Sequence, residues 1–315
     1  MEGTAGGLLA AGWTDPEARG LHGLTRERVL GAQVAGADGA LTRSGGRVVK
    51  NVAGYDLHRL HAGAGGAFGV LTELCFRLEP LPERRAVVCV TLADAAAAET
   101  AWRWLRREGP DPSGLELRAA PDGSARLRAW FLGDDEPVRE AVAAARRGWE
   151  RWGMVAGGDA DAADAADTDA GGADAAGPWL ALRLLTAPSR VFAAQARAAD
   201  LARVRTLAPA IVAYPNDGEV QLRVAGEAVP LAGLLGEIAA GARAGAWHYR
   251  IDGQAPGWTA PEVPGWSADA AALRLMARVK EAFDPRGVLR PGSYSAARLA
   301  AAAEFFAGGA EERVR

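Results

Sequence analysis

The chain has little of what metal and disulfide chemistry require: two cysteines and four histidines in 315 residues. Cys75 and Cys89 sit in apolar runs without metal-ligand spacing, which reads as packed, reduced thiols and a cytoplasmic protein. Two thiols are too few to ligate an ordinary four-cysteine iron–sulfur cluster. No run approaches the ~18 uncharged apolar residues of a membrane-spanning helix. The N-terminus carries no basic segment leading an apolar core, so no signal peptide is expected. A dominant charge is missing as well: a net charge of -3 gives no electrostatic case for nucleic acid or an anionic membrane. Lysine is almost absent, Lys50 and Lys280 standing alone among 36 basic residues, as a composition rich in Ala, Gly and Arg would produce.

What is present suits a two-domain globular protein, since 49% of the residues are hydrophobic and the length exceeds one ordinary core. Residues 1–82 are dense in glycine and short strands. Val29 to Ala35 reads as a strand. Asp38-Gly39 reads as a tight hairpin turn whose two central residues must tolerate positive φ. Leu74, Phe76 and Leu78 alternate with polar positions as a half-buried strand would, and Pro80 and Pro82 mark a boundary. Residues 83–266 alternate strands and helices in two halves of similar style, which predicts a cap domain on an antiparallel sheet. Asp94 opens the first helix. A second begins with Asp134, Asp135 and Glu136 and carries Val138, Val142, Ala145, Trp149 and Trp152 on one stripe. Pro215-Asn216-Asp217-Gly218 turns a hairpin. Between the halves, residues 157–177 are low-complexity Ala, Asp and Gly, expected to be a disordered insert and not a cation site. Residues 267–315 hold a helix with Ala272, Met276, Val279 and Phe283 on one face, ended by Asp284-Pro285. A last helix, Ser295 to Phe306, is closed by Gly308-Gly309.

Two glycine clusters let backbone N–H groups approach an anionic or planar ligand: Gly3-Thr4-Ala5-Gly6-Gly7, and Gly63-Ala64-Gly65-Gly66-Ala67-Phe68-Gly69. The second is no dinucleotide fingerprint, because a strand and not a helix follows it. Between them lies the most specific run, Lys50-Asn51-Val52-Ala53-Gly54-Tyr55-Asp56-Leu57. His22, His58, His61 and His248 form no cluster. No Ser-His-Asp or Cys-His arrangement stands out, so no catalytic residue is assigned and no metal is expected.

That run, with Phe68-Gly69-Val70-Leu71-Thr72-Glu73 after it, resembles the flavin domain of glycolate oxidase subunits D and E, of the vanillyl-alcohol oxidase (PCMH-type) superfamily of FAD-linked oxidases. Gly3-Thr4-Ala5-Gly6-Gly7-Leu8 resembles the turn that lines FAD in that family. Phe283-Asp284-Pro285-Arg286-Gly287-Val288-Leu289-Arg290-Pro291-Gly292 resembles the segment that returns from the cap to the flavin. The likeness is dense over 1–82, recurs at 272–294 and is architectural between.

The resemblance implies an α+β chain: the second subdomain of a PCMH-type FAD-binding domain plus an antiparallel-sheet α/β cap. The subdomain that grips the FAD pyrophosphate has no counterpart, as though the start were assigned late or the chain were a remnant. Carried over, Gly3, Thr4, Gly6 and Gly7 line the flavin, and Gly54, Tyr55 and Asp56 close beside it. Gly69 and Val70 meet the adenine end through the backbone. Lys50 pairs with a phosphate or merely solvates a loop, and Asn51 and Gly63 complete the cofactor contacts. On the residues alone, Tyr55 also suits a core aromatic and Asp56 a helix N-cap. Ala67 and Arg290 stand where the family carries Thr and Asn. The cap lacks the His-rich metal motif of D-type subunits, so an E-type subunit is implied. It would act beside a D-type flavoprotein and an iron–sulfur F-type subunit, in the cytoplasm and at the inner membrane only through partners. Its substrate would be a short 2-hydroxy acid such as glycolate or lactate. A flavin-less assembly scaffold and a stand-alone oxidase of another alcohol are the alternatives.

Overall fold

A computed structural model describes residues 3–13, 23, 25–47, 54–120, 122–159, 177–255, 264–290 and 295–311. The chain forms two compact units, residues 1–80 with 268–311, and residues 81–267.

The first unit begins with α1 (Ala5–Ala11) and the short α2 (Thr25–Arg28). Strands β1 (Val29–Ala35), β2 (Leu41–Gly45) and β3 (Val70–Phe76) make an antiparallel sheet in the order β2-β1-β3, and α3 (Leu57–Leu60) lies between β2 and β3 in sequence. The β1–β2 turn is longer than the two-residue hairpin expected. It spans residues 36–40, where Gly36 N donates to Ala40 O, and only Gly39 takes a positive φ, of 82°. Asp38 contributes its carboxylate instead, accepting from Ala40 N at 2.9 Å. The third strand also ends earlier than its alternation predicts: pairing stops at Phe76, and Leu78 is 87% exposed.

The second unit is one eight-stranded antiparallel sheet. In chain order it runs β4 (Arg84–Leu92), α4 (Ala95–Arg107), β5 (Gly114–Ala119), β6 (Ala125–Gly133), α5 (Asp135–Trp149) and β7 (Met154–Asp159). The second half repeats this with β8 (Trp179–Leu185), α6 (Val191–Arg203), β9 (Ala208–Tyr214), β10 (Glu219–Ala225), α7 (Ala228–Arg243) and β11 (His248–Gln254). The strand order β11-β8-β10-β9-β5-β6-β4-β7 resolves into two βαββαβ modules of the split βαβ kind. They join edge to edge where Leu117 and Arg118 face Ala213 and Val212. Period-two alternation explains the layering. Leu180, Leu182 and Leu184 share one face with Val220, Leu222 and Val224, all essentially inaccessible, each contributing about 2 kcal/mol by burial. The other face carries Glu116, Arg118, Arg128, Arg183 and Glu219. Asp94 caps α4 as expected, accepting from Ala97 N at 2.8 Å. In α5 the buried stripe is Val138, Ala145 and Trp149, with Trp152 past the helix end. The low-complexity segment starts later than its composition suggests, because residues 157–159 continue β7 and pair with Ala86, Val87 and Val88. Its other residues up to 176 lie outside the described ones.

The chain closes with α8 (Ala270–Phe283) and α9 (Ala296–Glu311), which pack on each other. Asp269 caps α8 by accepting from Ala272 N at 2.9 Å. The expected apolar stripe is displaced. Met276 is exposed, Ala272, Val279 and Phe283 are half-buried, and the fully buried positions are Leu273 and Lys280. The last helix runs through Gly308-Gly309 to Glu311 instead of stopping before them.

Candidate cofactor site

Four segments of the first unit converge. Thr4 is the N-cap of α1, its Oγ1 accepting from Gly7 N at 3.0 Å, so Gly3 to Gly7 forms a helix start and not the glycine turn expected. Gly6 faces β3, a Cβ built there lying 3.5 Å from Leu71 Cβ. The far end of α1 docks on the second glycine cluster: Gly63 N donates to Leu9 O at 2.9 Å and Gly65 N to Ala10 O at 2.8 Å. Residues Gly63, Gly65 and Gly66 all have positive φ, which makes this tight path accessible only to glycine-like backbones. Gly69 is fixed by packing, since a Cβ there would lie 2.4 Å from Val34 Cγ1 and 2.9 Å from Ala35 O. Val70 follows it with an exposed side chain.

Beneath the loop sits a contact that no sequence signal announces. Lys280 is 1% exposed, and its Nζ donates to Ala67 O at 2.8 Å, Leu289 O at 2.7 Å and Asp284 Oδ2 at 2.6 Å. Asp284 in turn accepts from Val288 N at 3.0 Å and Leu289 N at 2.8 Å. Burial works against the charge of Asp284, but the Lys280 ammonium and the Leu289 and Val288 amides outweigh it and hold the carboxyl below its ordinary pKa. One ammonium therefore ties the glycine-rich loop, the end of α8 and the segment after it into one block. Phe68 and Phe283 add a ring contact with centroids 5.7 Å apart. Ala67, which stands where a Thr was expected, is fully buried, so its side chain belongs to this packed floor.

Of the other expected contacts, Gly54 has φ of 84° and open space where a Cβ would stand. Tyr55 is 89% exposed, which rules out the core aromatic. Asp56 occupies the N-cap position of α3 but makes no capping hydrogen bond, pairing with Arg59 at 3.5 Å. Lys50 and Asn51 lie outside the described residues. His58 and His61 flank the site as buried residues. His58 Nδ1 lies 3.0 Å from Ser44 Oγ, which also accepts from His58 N at 2.7 Å. Burial lowers the pKa of both imidazoles. Among the described residues no group of three or more His, Cys, Asp or Glu side chains could hold a metal ion.

These features fit a flavin nucleotide. The first-turn amides of a helix lack helical partners; Thr4 Oγ1 already takes Gly7 N, so only the amides ahead of it are left to meet phosphate oxygens. Thr4, Gly3 and Gly7 are exposed, and Gly54 leaves room for a planar group to approach the backbone. A split-βαβ double sheet and such a unit in one chain make the α+β architecture of PCMH-type FAD oxidases. Known proteins agree. The family profile described as FAD linked oxidases, C-terminal domain, matches residues 262–294. Glycolate oxidase subunit GlcE of Escherichia coli (strain K12) is 35% identical over 130 residues, 36% of this chain and 37% of that protein. Glycolate oxidase subunit GlcD of Bacillus subtilis (strain 168) is 43% identical over 84 residues, 26% of this chain and 18% of that protein. The fold of a glucooligosaccharide oxidase from Acremonium strictum matches with a TM-score of 0.59 at 14% identity, covering 93% of this chain and 71% of that one. Over these segments the chain is similar to FAD-linked oxidases and to glycolate oxidase subunits, which supports FAD as the ligand of this site. It spans well under half the length of the two curated relatives, 37% of one and 18% of the other.

Proposed function

We propose that the chain is an E-type flavin subunit of a glycolate-oxidase-like complex that oxidises a short 2-hydroxy acid, glycolate or lactate, to the 2-oxo acid. The observation that carries this reading is the convergence of α1, the loop 63–69 and the segment after α8 into one partly exposed glycine-lined surface, in a chain similar to GlcE over 130 residues. Bound FAD would supply the chemistry by accepting hydride from the α-carbon of the acid. The chain's own residues bind and orient. Gly3, Thr4, Gly6 and Gly7 would face the cofactor from α1. Gly54, Tyr55 and Asp56 would close beside it, and Gly63, Gly69 and Val70 would meet it through the loop and β3. Lys50 and Asn51 belong to the same proposed set. The domain division follows the same reading: 1–82 as flavin subdomain, 83–266 as cap, and 267–315 as the return to the flavin side. Electrons would leave through a D-type flavoprotein and an iron–sulfur subunit of the complex. Among the described residues no helix is long and apolar enough to cross a membrane, so any membrane association would run through partners.

The test is the visible spectrum of the purified chain. The two absorption bands of an oxidised flavin, bleached anaerobically by glycolate or D-lactate, would support the reading. A colourless chain that still co-purifies with D-type and iron–sulfur subunits would replace it with an assembly scaffold.

A further inference from the structure

Arg290 holds a backbone conformation that its own side chain does not favour. Its φ is 50°, in the left-handed region where glycine and asparagine sit comfortably and a long side chain does not. The strain is imposed from one residue upstream, because Lys280 and Asp284 hold both the carbonyl and the amide of Leu289. It places the Arg290 guanidinium over Gly65, whose built Cβ would lie 3.6 Å from one terminal nitrogen and 3.7 Å from the guanidinium carbon. Any side chain at residue 65 would compete for that space. The Arg290 side chain is exposed, and no carboxylate among the described residues pairs with it. A cation with no carboxylate partner among the described residues is thus held on a strained backbone against a loop of positive-φ glycines. Residues held in such backbone regions cluster at ligand-contact sites.

We propose that Arg290 is a cationic contact for an anionic oxygen of the ligand at this site, either a phosphate of FAD or the carboxylate of the acid substrate. This rests on the flavin reading above and adds to it a specificity residue. A planar, always-charged fork suits both anions, and Arg290 is placed by a buried block instead of by a flexible loop.

The experiment compares the full chain with Arg290→Asn and Arg290→Lys in three measurements: affinity for FAD and for riboflavin, the acid concentration that half-saturates anaerobic flavin bleaching, and the melting temperature. Asn relieves the positive φ, so its melting temperature is expected to hold or rise by about 2 °C. If the anion is a phosphate, Arg290→Asn loses about tenfold in FAD affinity with riboflavin unchanged, and Lys restores part of the loss. If it is the carboxylate, FAD affinity holds and the half-saturating acid concentration rises about tenfold. Both constants staying within about twofold would overturn the proposal. So would a fall in both accompanied by a lower melting temperature and no rescue by Lys, which is the signature of a structural role. Should the wild-type chain take up no FAD, the flavin reading fails by itself, and inorganic pyrophosphate becomes the probe. Thermal protection of wild type but not of Arg290→Asn would keep the anion contact, and equal behaviour would remove it.

Discussion

A lysine with its ammonium out of water is unfavourable unless every proton finds an oxygen, and Lys280 meets that condition with Asp284 and two carbonyls. Removing one partner of such a pair leaves the other charged and buried. Lys280→Met is therefore expected to destabilise the chain by about 3–5 kcal/mol in urea unfolding, with lowered retention of flavin. A loss under about 1 kcal/mol would mean that the pair contributes nothing net. The pH dependence follows from the signs of the shifts. Asp284 has a folded pKa below its unfolded value, so its contribution is complete above about pH 3.9 and lost as pH falls through the lower folded value. His58 and His61 also have depressed folded pKa values, set first by burial. Their neutral forms stabilise the fold fully above about pH 6.5, and that stability drains away as pH falls below it. The melting temperature should thus begin to drop near pH 6.5, well before the Asp284 clamp releases, and His61→Gln should flatten the upper part of that slope. A profile unchanged by His61→Gln between pH 7 and 5 would refute the assignment.

At the scale of elements, the glycine of α5 shows how tightly two helices can be keyed. A Cβ on Gly148 would lie 1.9–2.5 Å from three atoms of the Trp104 ring, which itself packs against Trp152 with centroids 5.7 Å apart and planes tilted by 57°. Gly148→Ala must displace that ring, so despite its better helix propensity it should cost about 1–3 kcal/mol by denaturant unfolding. A gain in stability would show that the ring moves aside freely. Elements of this kind were legible where local chemistry decides. The Asp94 cap, the β1 strand and the second glycine cluster follow from short-range rules. Register and long-range pairing were less so. The stripe read on α8 put Met276 inside because apolar periodicity has no way to anticipate a lysine satisfied by a carbonyl 213 positions away. Gly3 to Gly7 reads as a turn because glycine is a poor helix former, yet Thr4 supplies the cap that starts α1. The glycine motifs proposed for the cofactor were legible as residues. The floor that positions them was not, because Lys280 and Asp284 look like an ordinary solvated helix end.

For the whole molecule, the residues proposed to contact flavin all belong to the unit formed by residues 1–80 and 268–311, while the double split-βαβ sheet forms the other. A ligand that binds only the native state stabilises the unit that binds it, by RT ln(1 + [L]/Kd), about 2.7 kcal/mol at a hundredfold excess over Kd. The proposed site therefore predicts an asymmetric response in calorimetry. Added FAD should raise the transition that includes α1, β1–β3 and α8. The transition of the eight-stranded sheet should move less, unless the two unfold as one. Riboflavin, lacking the phosphates, should protect more weakly if the α1 amides and Arg290 contribute through anion contacts. Equal protection by FAD and riboflavin would place all the affinity in the ring system and remove the phosphate role from both. Protection of the sheet alone would move the cofactor out of the glycine-lined surface altogether.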